Sequence, residues 1–207
     1  GPVVAAAVIL CKPGIAGVGD SKVLSAKVRA RLEVEIRQTC AFGIGVVEPA
    51  EIDRINIFAA TMLAMTRAME RLCRVADADV AEALIDGNLT PQGRVEGWRW
   101  PARAIVGGDG IEANIGAASI LAKEYRDRLM VAAAAEHPQY GWERNKGYGS
   151  KEHMEALRQH GPTPLHRRSF APVAQTELDF AGQRNPDGQG FAAFGRVVRG
   201  LDVVRAI

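Results

Sequence analysis

The chain has 207 residues, 47% hydrophobic and 24% charged, and a formal net charge of only +2. That size and balance suit one globular domain with room for an appendage, and exclude a global basic field demanding a polyanion. No apolar run approaches the ~20 residues that span a bilayer, which excludes a membrane helix.

Val3 to Leu10 is continuously apolar without a preceding positive region, and so predicts a buried strand rather than a signal peptide. Lys12-Pro13-Gly14 breaks the chain. Leu24-Ser25 then opens a helix, with Ser25 as its predicted N-cap and Val28, Leu32 and Ile36 recurring on one face. Phe42 to Val47 alternates glycine with apolar residues and predicts a strand closed by Pro49. A short helix starts at Pro49, and a second runs from Phe58 to Leu72 with Met62, Met65 and Met69 at helical spacing. That methionine stripe reads as core filler. Val80 to Ile85 predicts a buried strand ending at Asp86, and Thr90 to Pro101 a tryptophan-bearing loop. Ala102 to Val106 is a further strand, Ile115 to Ala134 a long helix stopped by His137-Pro138, and Tyr140 to Ser150 a glycine- and charge-rich loop. Lys151 to His160 is a last short helix. Strands alternating with helices indicate an α/β or α+β domain with a mixed sheet.

Composition changes after Val173. Gln175 to Gln189 is polar, and Phe191 to Val198 with Leu201 to Ile207 predicts a strand–turn–helix tail. The expected division is residues 1–173 as the main domain and 174–207 as linker and tail.

Cys11, Cys40 and Cys73 are scattered and odd in number, which argues against a disulfide framework or zinc site and suits a reducing cytoplasm. The four histidines lack metal-ligand spacing, and no Gly-x-Ser-x-Gly or P-loop pattern occurs. Two acids stand out instead. Asp86 ends an apolar run in Leu84-Ile85-Asp86-Gly87, and Asp109 lies in Gly107-Gly108-Asp109-Gly110. Either could be an ordinary turn residue. As hard oxygen donors held at strand ends they suit Mg2+ or Mn2+ shared with a substrate phosphate. Asp127, between Arg126 and Arg128, is explained as well by helix ion pairing. Between Tyr140 and Phe170, six arginines and lysines outnumber three glutamates, a patch that could meet phosphates or simply face solvent. Tyr148, flanked by glycines in that segment, could stack on a sugar or base, or tuck onto the core.

Several segments together resemble the ribonuclease HII family, the type 2 ribonucleases H. They are Gly1-Pro2-Val3-Val4-Ala5-Ala6-Ala7-Val8-Ile9-Leu10, Asp20-Ser21-Lys22, Glu51-Ile52-Asp53-Arg54-Ile55-Asn56-Ile57 and Leu84-Ile85-Asp86-Gly87. Ala117-Ala118-Ser119-Ile120-Leu121-Ala122-Lys123 follows, then Lys146-Gly147-Tyr148-Gly149-Ser150-Lys151-Glu152-His153 and His166-Arg167-Arg168-Ser169-Phe170. The resemblance implies a ribonuclease H-like fold. It also implies cleavage of RNA in RNA–DNA hybrids and at single ribonucleotides in duplex DNA, leaving 5′-phosphate ends. Four carboxylates would hold two divalent ions ~3.5–4 Å apart. Asp86 and Asp109 would be the third and fourth of these catalytic and metal-binding acids. Tyr148 would pack on the sugar beside the ribonucleotide, Ser21, Lys22 and Lys146 would meet phosphates, and Asp127 and Lys123 would support the site. The 2′-hydroxyl would distinguish RNA from DNA.

Departures set further expectations. The family's first two acids lie in Asp-Glu-x-Gly-Arg-Gly, on a strand just before the segment that opens here. A sheet with its first strand missing, unpaired backbone on that strand's neighbours and impaired cleavage by this chain are therefore expected. Val23 and Gly107 stand where the family has lysine. Gly188 to Val204 resembles the end of a cyclophilin-type prolyl isomerase, too short to hold that family's active residues. A monomer is expected, with a non-catalytic hybrid-binding module as the rival function and prolyl isomerisation through the tail as a weaker one.

Overall fold

The computed structural model describes residues 1–10, 14–171 and 173–174, together with the backbone of 194–199. A five-stranded mixed sheet has the order β2-β1-β5-β3-β4. Its strands are β1 (Val3–Ile9), β2 (Ala41–Val47), β3 (Glu82–Asp86), β4 (Ala102–Ile105) and β5 (Phe194–Arg199). Every residue of β1 is buried, and its two sides feed different cores. Val3, Ala5, Ala7 and Ile9 pack under α2 (Pro49–Ala76), whereas Val4, Ala6 and Val8 meet α1 (Ala26–Thr39) and α4 (Ala113–Glu136). Burial on both faces is why this strand reads as an unbroken apolar run.

The predicted N-cap holds, with Ser25 Oγ accepting from Val28 N at 3.3 Å. The methionine stripe is core, since Met62, Met65, Met69 and Leu72 are all buried. The two helices expected across 49–72 form one element broken at Asn56, whose backbone is left-handed (φ 64°). Its side-chain oxygen accepts from Ala59 N at 3.0 Å and so caps the second half.

β2 lies at the sheet edge and is crossed at very close range by α2. A Cβ on Gly45 would sit 1.9 Å from the Ala64 carbonyl oxygen, and one on Gly43 would sit 2.1 Å from that of Ala68. Arg67 and Arg71 of α2 donate to the Val46 and Ile44 carbonyls at 2.8 and 2.5 Å. Those bonds cover part of an otherwise open edge.

Two predicted loops contain short helices, α3 (Gly108–Ile111) and α5 (Trp142–Asn145). Neither four-residue segment offers enough periodicity to reveal a helix. α6 (Lys151–His160) matches its expected limits and is capped by Ser150.

The sheet corrects one expectation. The position between β1 and β3 is filled by β5, which runs parallel to β1 and antiparallel to β3. The neighbours of that position therefore have paired backbone, supplied by residues 194–199. The remaining tail, including the expected helix Leu201 to Ile207, lies outside the described residues, as does Cys11.

Candidate active site

Parallel pairing of β3 and β4 brings their C-terminal ends side by side, with Asp86 opposite Ile105. The chain leaves β4 through Gly107, which is left-handed (φ 66°), and turns at once into α3 carrying Asp109. Gly108 N donates to Asp86 Oδ1 at 2.9 Å, so the two acids are linked through one backbone amide. A Cβ on Gly108 would lie 2.5 Å from the Ile115 side chain, which explains a glycine there. Asp86 is half-buried and Asp109 buried. Burial, and then the neighbouring Asp109, push the Asp86 carboxyl above its usual range. Two carboxylates that desolvate and repel one another suit a divalent cation, because its charge relieves both terms. Among the described residues no third His, Cys, Asp or Glu joins them as a metal-holding group.

Lys22 approaches the pair, its Nζ 3.6 Å from Asp109 Oδ2, and it remains exposed. Ser21 does not share that exposure. Its hydroxyl is buried and meets Ser119 Oγ of α4 at 2.7 Å, while its carbonyl accepts from Arg29 Nη1 at 3.2 Å. The Ser21 side chain thus fastens the loop to α4, while the Lys22 side chain stays exposed beside Asp109.

Tyr148 is half-buried, with the Arg126 guanidinium 5.2 Å and the Lys123 ammonium 5.5 Å from its ring centroid. Lys123 in turn pairs with Asp127 at 2.5 Å. Asp127 Oδ1 and Arg126 Nε are buried without a hydrogen-bond partner among the described residues. Asp127 thus belongs to the Tyr148 side of the site through Lys123. Lys146 is left-handed (φ 52°), its carbonyl accepts from Arg126 Nη1 at 3.0 Å, and its ammonium turns back onto the Glu143 carbonyl.

Sequence reasoning missed what lies beneath this loop. His153 Nε2 is 3.1 Å from His166 Nε2 and accepts from Trp142 Nε1 at 3.2 Å. His153 Nδ1 is 2.8 Å from the Tyr148 carbonyl, and His166 Nδ1 faces Thr163 N at 3.0 Å. Tyr140 stacks on Trp142 with centroids 5.0 Å apart and sets its edge to both histidines. The histidines are thirteen residues apart on α6 and the following turn, so no spacing rule finds them.

Burial, and then the His153 ring, push His166 down to about 3, and burial lowers His153 as well. A folded pKa below the unfolded 6.5 means that the unfolded chain takes a proton the folded chain refuses. Stability is therefore full above pH 6.5 and falls as pH drops towards 3. The expected slope from His166 is at most about 1.4 kcal/mol per pH unit. Melting temperatures should fall from pH 6.5 to 5, less steeply in His166→Gln. A wild-type melting temperature unchanged over that interval would contradict this.

The ribonuclease HII family model matches residues 1–173. Ribonuclease HII of Novosphingobium aromaticivorans is 66% identical over 180 residues, covering 86% of this chain and 92% of that protein. That of Erythrobacter litoralis is 60% identical over 178 residues, covering 86% and 84%. A solved structure of the PCNA:RNase HII complex from Archaeoglobus fulgidus superposes with a TM-score of 0.63 at 20% identity, covering 90% of this chain and 93% of that one. The mixed α/β architecture is thus the ribonuclease H-like fold. With the family model spanning most of its length, the chain belongs to the ribonuclease HII family.

Proposed function

We propose that this chain is an endonuclease acting on the RNA strand of RNA–DNA hybrids and at single ribonucleotides in duplex DNA, leaving 5′-phosphate ends. The observation that carries this reading is the Asp86–Asp109 pair at the joined ends of β3 and β4, with Lys22 against Asp109. Asp86 and Asp109 would hold divalent metal, Mg2+ or Mn2+. A divalent ion supplies charge to the scissile phosphate and its leaving oxygen. Lys22 neutralises a non-bridging phosphate oxygen, and Lys146 reaches a neighbouring phosphate by releasing the Glu143 carbonyl. The Tyr148 ring, braced by Arg126 and Lys123, offers a face to the sugar at the ribonucleotide.

The acids that carry this chemistry among the described residues, Asp86 and Asp109, both lie within 1–173. The sheet position beside β1 is taken by Phe194–Arg199, whose sequence Phe-Gly-Arg-Val-Val-Arg holds no carboxylate. Among the described residues two acids meet at the site, Asp86 and Asp109, and the number of acids at hand sets how strongly divalent ions are held there. A gel assay on a labelled duplex with one ribonucleotide, in Mg2+ or Mn2+, tests this. Fusing an Asp-Glu-containing strand ahead of Gly1 is expected to raise the rate about a hundredfold or more, taking two added ligands as several kcal/mol. A fused protein that binds metal yet leaves the duplex intact would sink the reading.

The intact Tyr148 face beside a two-acid site favours one second reading, a hybrid-binding module without catalysis. Binding without cleavage even in the fused protein would select it.

A further inference from the structure

The histidine network fixes its own protonation pattern. His153 Nδ1 faces a carbonyl oxygen, so it carries the hydrogen and donates to Tyr148 O. Its Nε2 faces the Trp142 indole N–H, a donor only, and must accept. His166 Nε2 therefore carries a hydrogen towards His153, and His166 Nδ1 accepts from Thr163 N. Each ring nitrogen has a single consistent role, and both imidazoles are neutral.

That chain ends on the backbone of Tyr148. The tyrosine N–H donates to Asn145 O at 2.9 Å, and its carbonyl accepts from Ser150 N as well as from His153. Gly147, left-handed (φ 78°), precedes it with Asn145 Oδ1 on its amide, and the half-buried ring lies against Arg126 and Lys123. His153 is the one described side chain that ties the Tyr148 carbonyl to the aromatic cluster of Tyr140, Trp142 and His166.

We propose that His153 is a positioning residue for ribonucleotide recognition: its Nδ1–H fixes the Tyr148 carbonyl, and thereby the backbone from which the ring is offered to the sugar, while Trp142 and His166 hold His153 in the one tautomer able to do so. This rests on the reading above that Tyr148 meets the substrate. A histidine here does what glycine-flanked backbone cannot, because the loop's own hydrogen bonds leave the Tyr148 carbonyl with a single local donor. A loop backbone set in advance lowers the ordering cost of binding.

The test uses the full chain in metal-free buffer, with fluorescence anisotropy on a duplex carrying one ribonucleotide and on its all-DNA counterpart. Tyr148→Ala is expected to weaken the ribonucleotide duplex about tenfold. His153→Gln loses the Nδ1-side donor and should weaken it by a similar factor, leaving the all-DNA duplex unchanged. His153→Asn, whose amide can donate from near the Nδ1 position, should stay within about threefold of wild type. Combined with Tyr148→Ala, His153→Gln should add no further loss, since one residue acts through the other. Normal binding by His153→Gln beside a weakened Tyr148→Ala would overturn the proposal. So would losses that add in the double variant, or equal losses for Gln and Asn. If Tyr148→Ala itself binds normally, the substrate reading fails instead. Nitrogen-15 NMR of the wild-type histidines gives a check that needs no variant: hydrogen on His153 Nδ1 is expected, and hydrogen on Nε2 overturns the assignment.

Discussion

Asp86→Asn should make the protein more stable and its metal response weaker at the same time. The carboxyl is held above its usual range by burial and by Asp109, so ionising it costs folding free energy. That cost begins as pH rises through the unfolded value of 3.8 and is complete once the folded carboxyl is ionised. Asparagine keeps an oxygen for the Gly108 amide and carries no charge. In metal-free buffer the variant should melt above wild type at neutral pH, and the difference should vanish below about pH 4. Divalent ion acts in the other direction. At tenfold its dissociation constant, Mn2+ should stabilise wild type by about 1.4 kcal/mol, roughly 3–6 °C in melting temperature. The variant should lose most of that rise, and whatever cleavage wild type supports should fall about 10³-fold. Calorimetry with and without Mn2+ decides it. An unchanged metal-induced rise in Asp86→Asn would remove Asp86 from the metal site.

Gly45→Ala should be among the most destabilising single methyl additions in the described chain. The new Cβ would fall 1.9 Å from Ala64 O and 2.7 Å from Ala68 N, both backbone atoms of α2 that no rotamer change can clear. Relief requires lifting the helix from β2, which would break the Arg67 and Arg71 bonds to Val46 and Ile44. It would also open the core built on Met65, Met69 and Leu72. Overpacking of this kind costs about 3 kcal/mol, or roughly 6–12 °C in melting temperature for a chain of this length. A drop under 2 °C in a thermal melt would show that α2 shifts without resistance.

The two glycines show how far reading along the chain goes. Their alternation with apolar residues is enough to mark a strand, but nothing local says that a helix backbone lies against them. The site divides in the same way. Asp86 and Asp109 are legible because each closes or follows a strand-like run beside glycine. Their closeness depends on parallel pairing of β3 with β4, a relation between segments some twenty residues apart. Ser21 looked equivalent to Lys22 in sequence, and only the burial of its hydroxyl against Ser119 separates them. The position beside β1 looked empty because hydrogen-bond pairing between β1 and Phe194–Arg199 spans nearly the whole chain.

The sequence by itself determined the family, the order of the strands and of the longer helices α1, α4 and α6, the methionine core and the two turn acids. Each is written in local periodicity, in composition or in short motifs. Tertiary structure alone decided which acids adjoin, which serine is spent on packing, what fills the sheet beside β1, and that His153 and His166 support Tyr148. Those facts depend on contacts between residues distant in the chain, where burial and hydrogen-bond geometry, rather than spacing, select the partners.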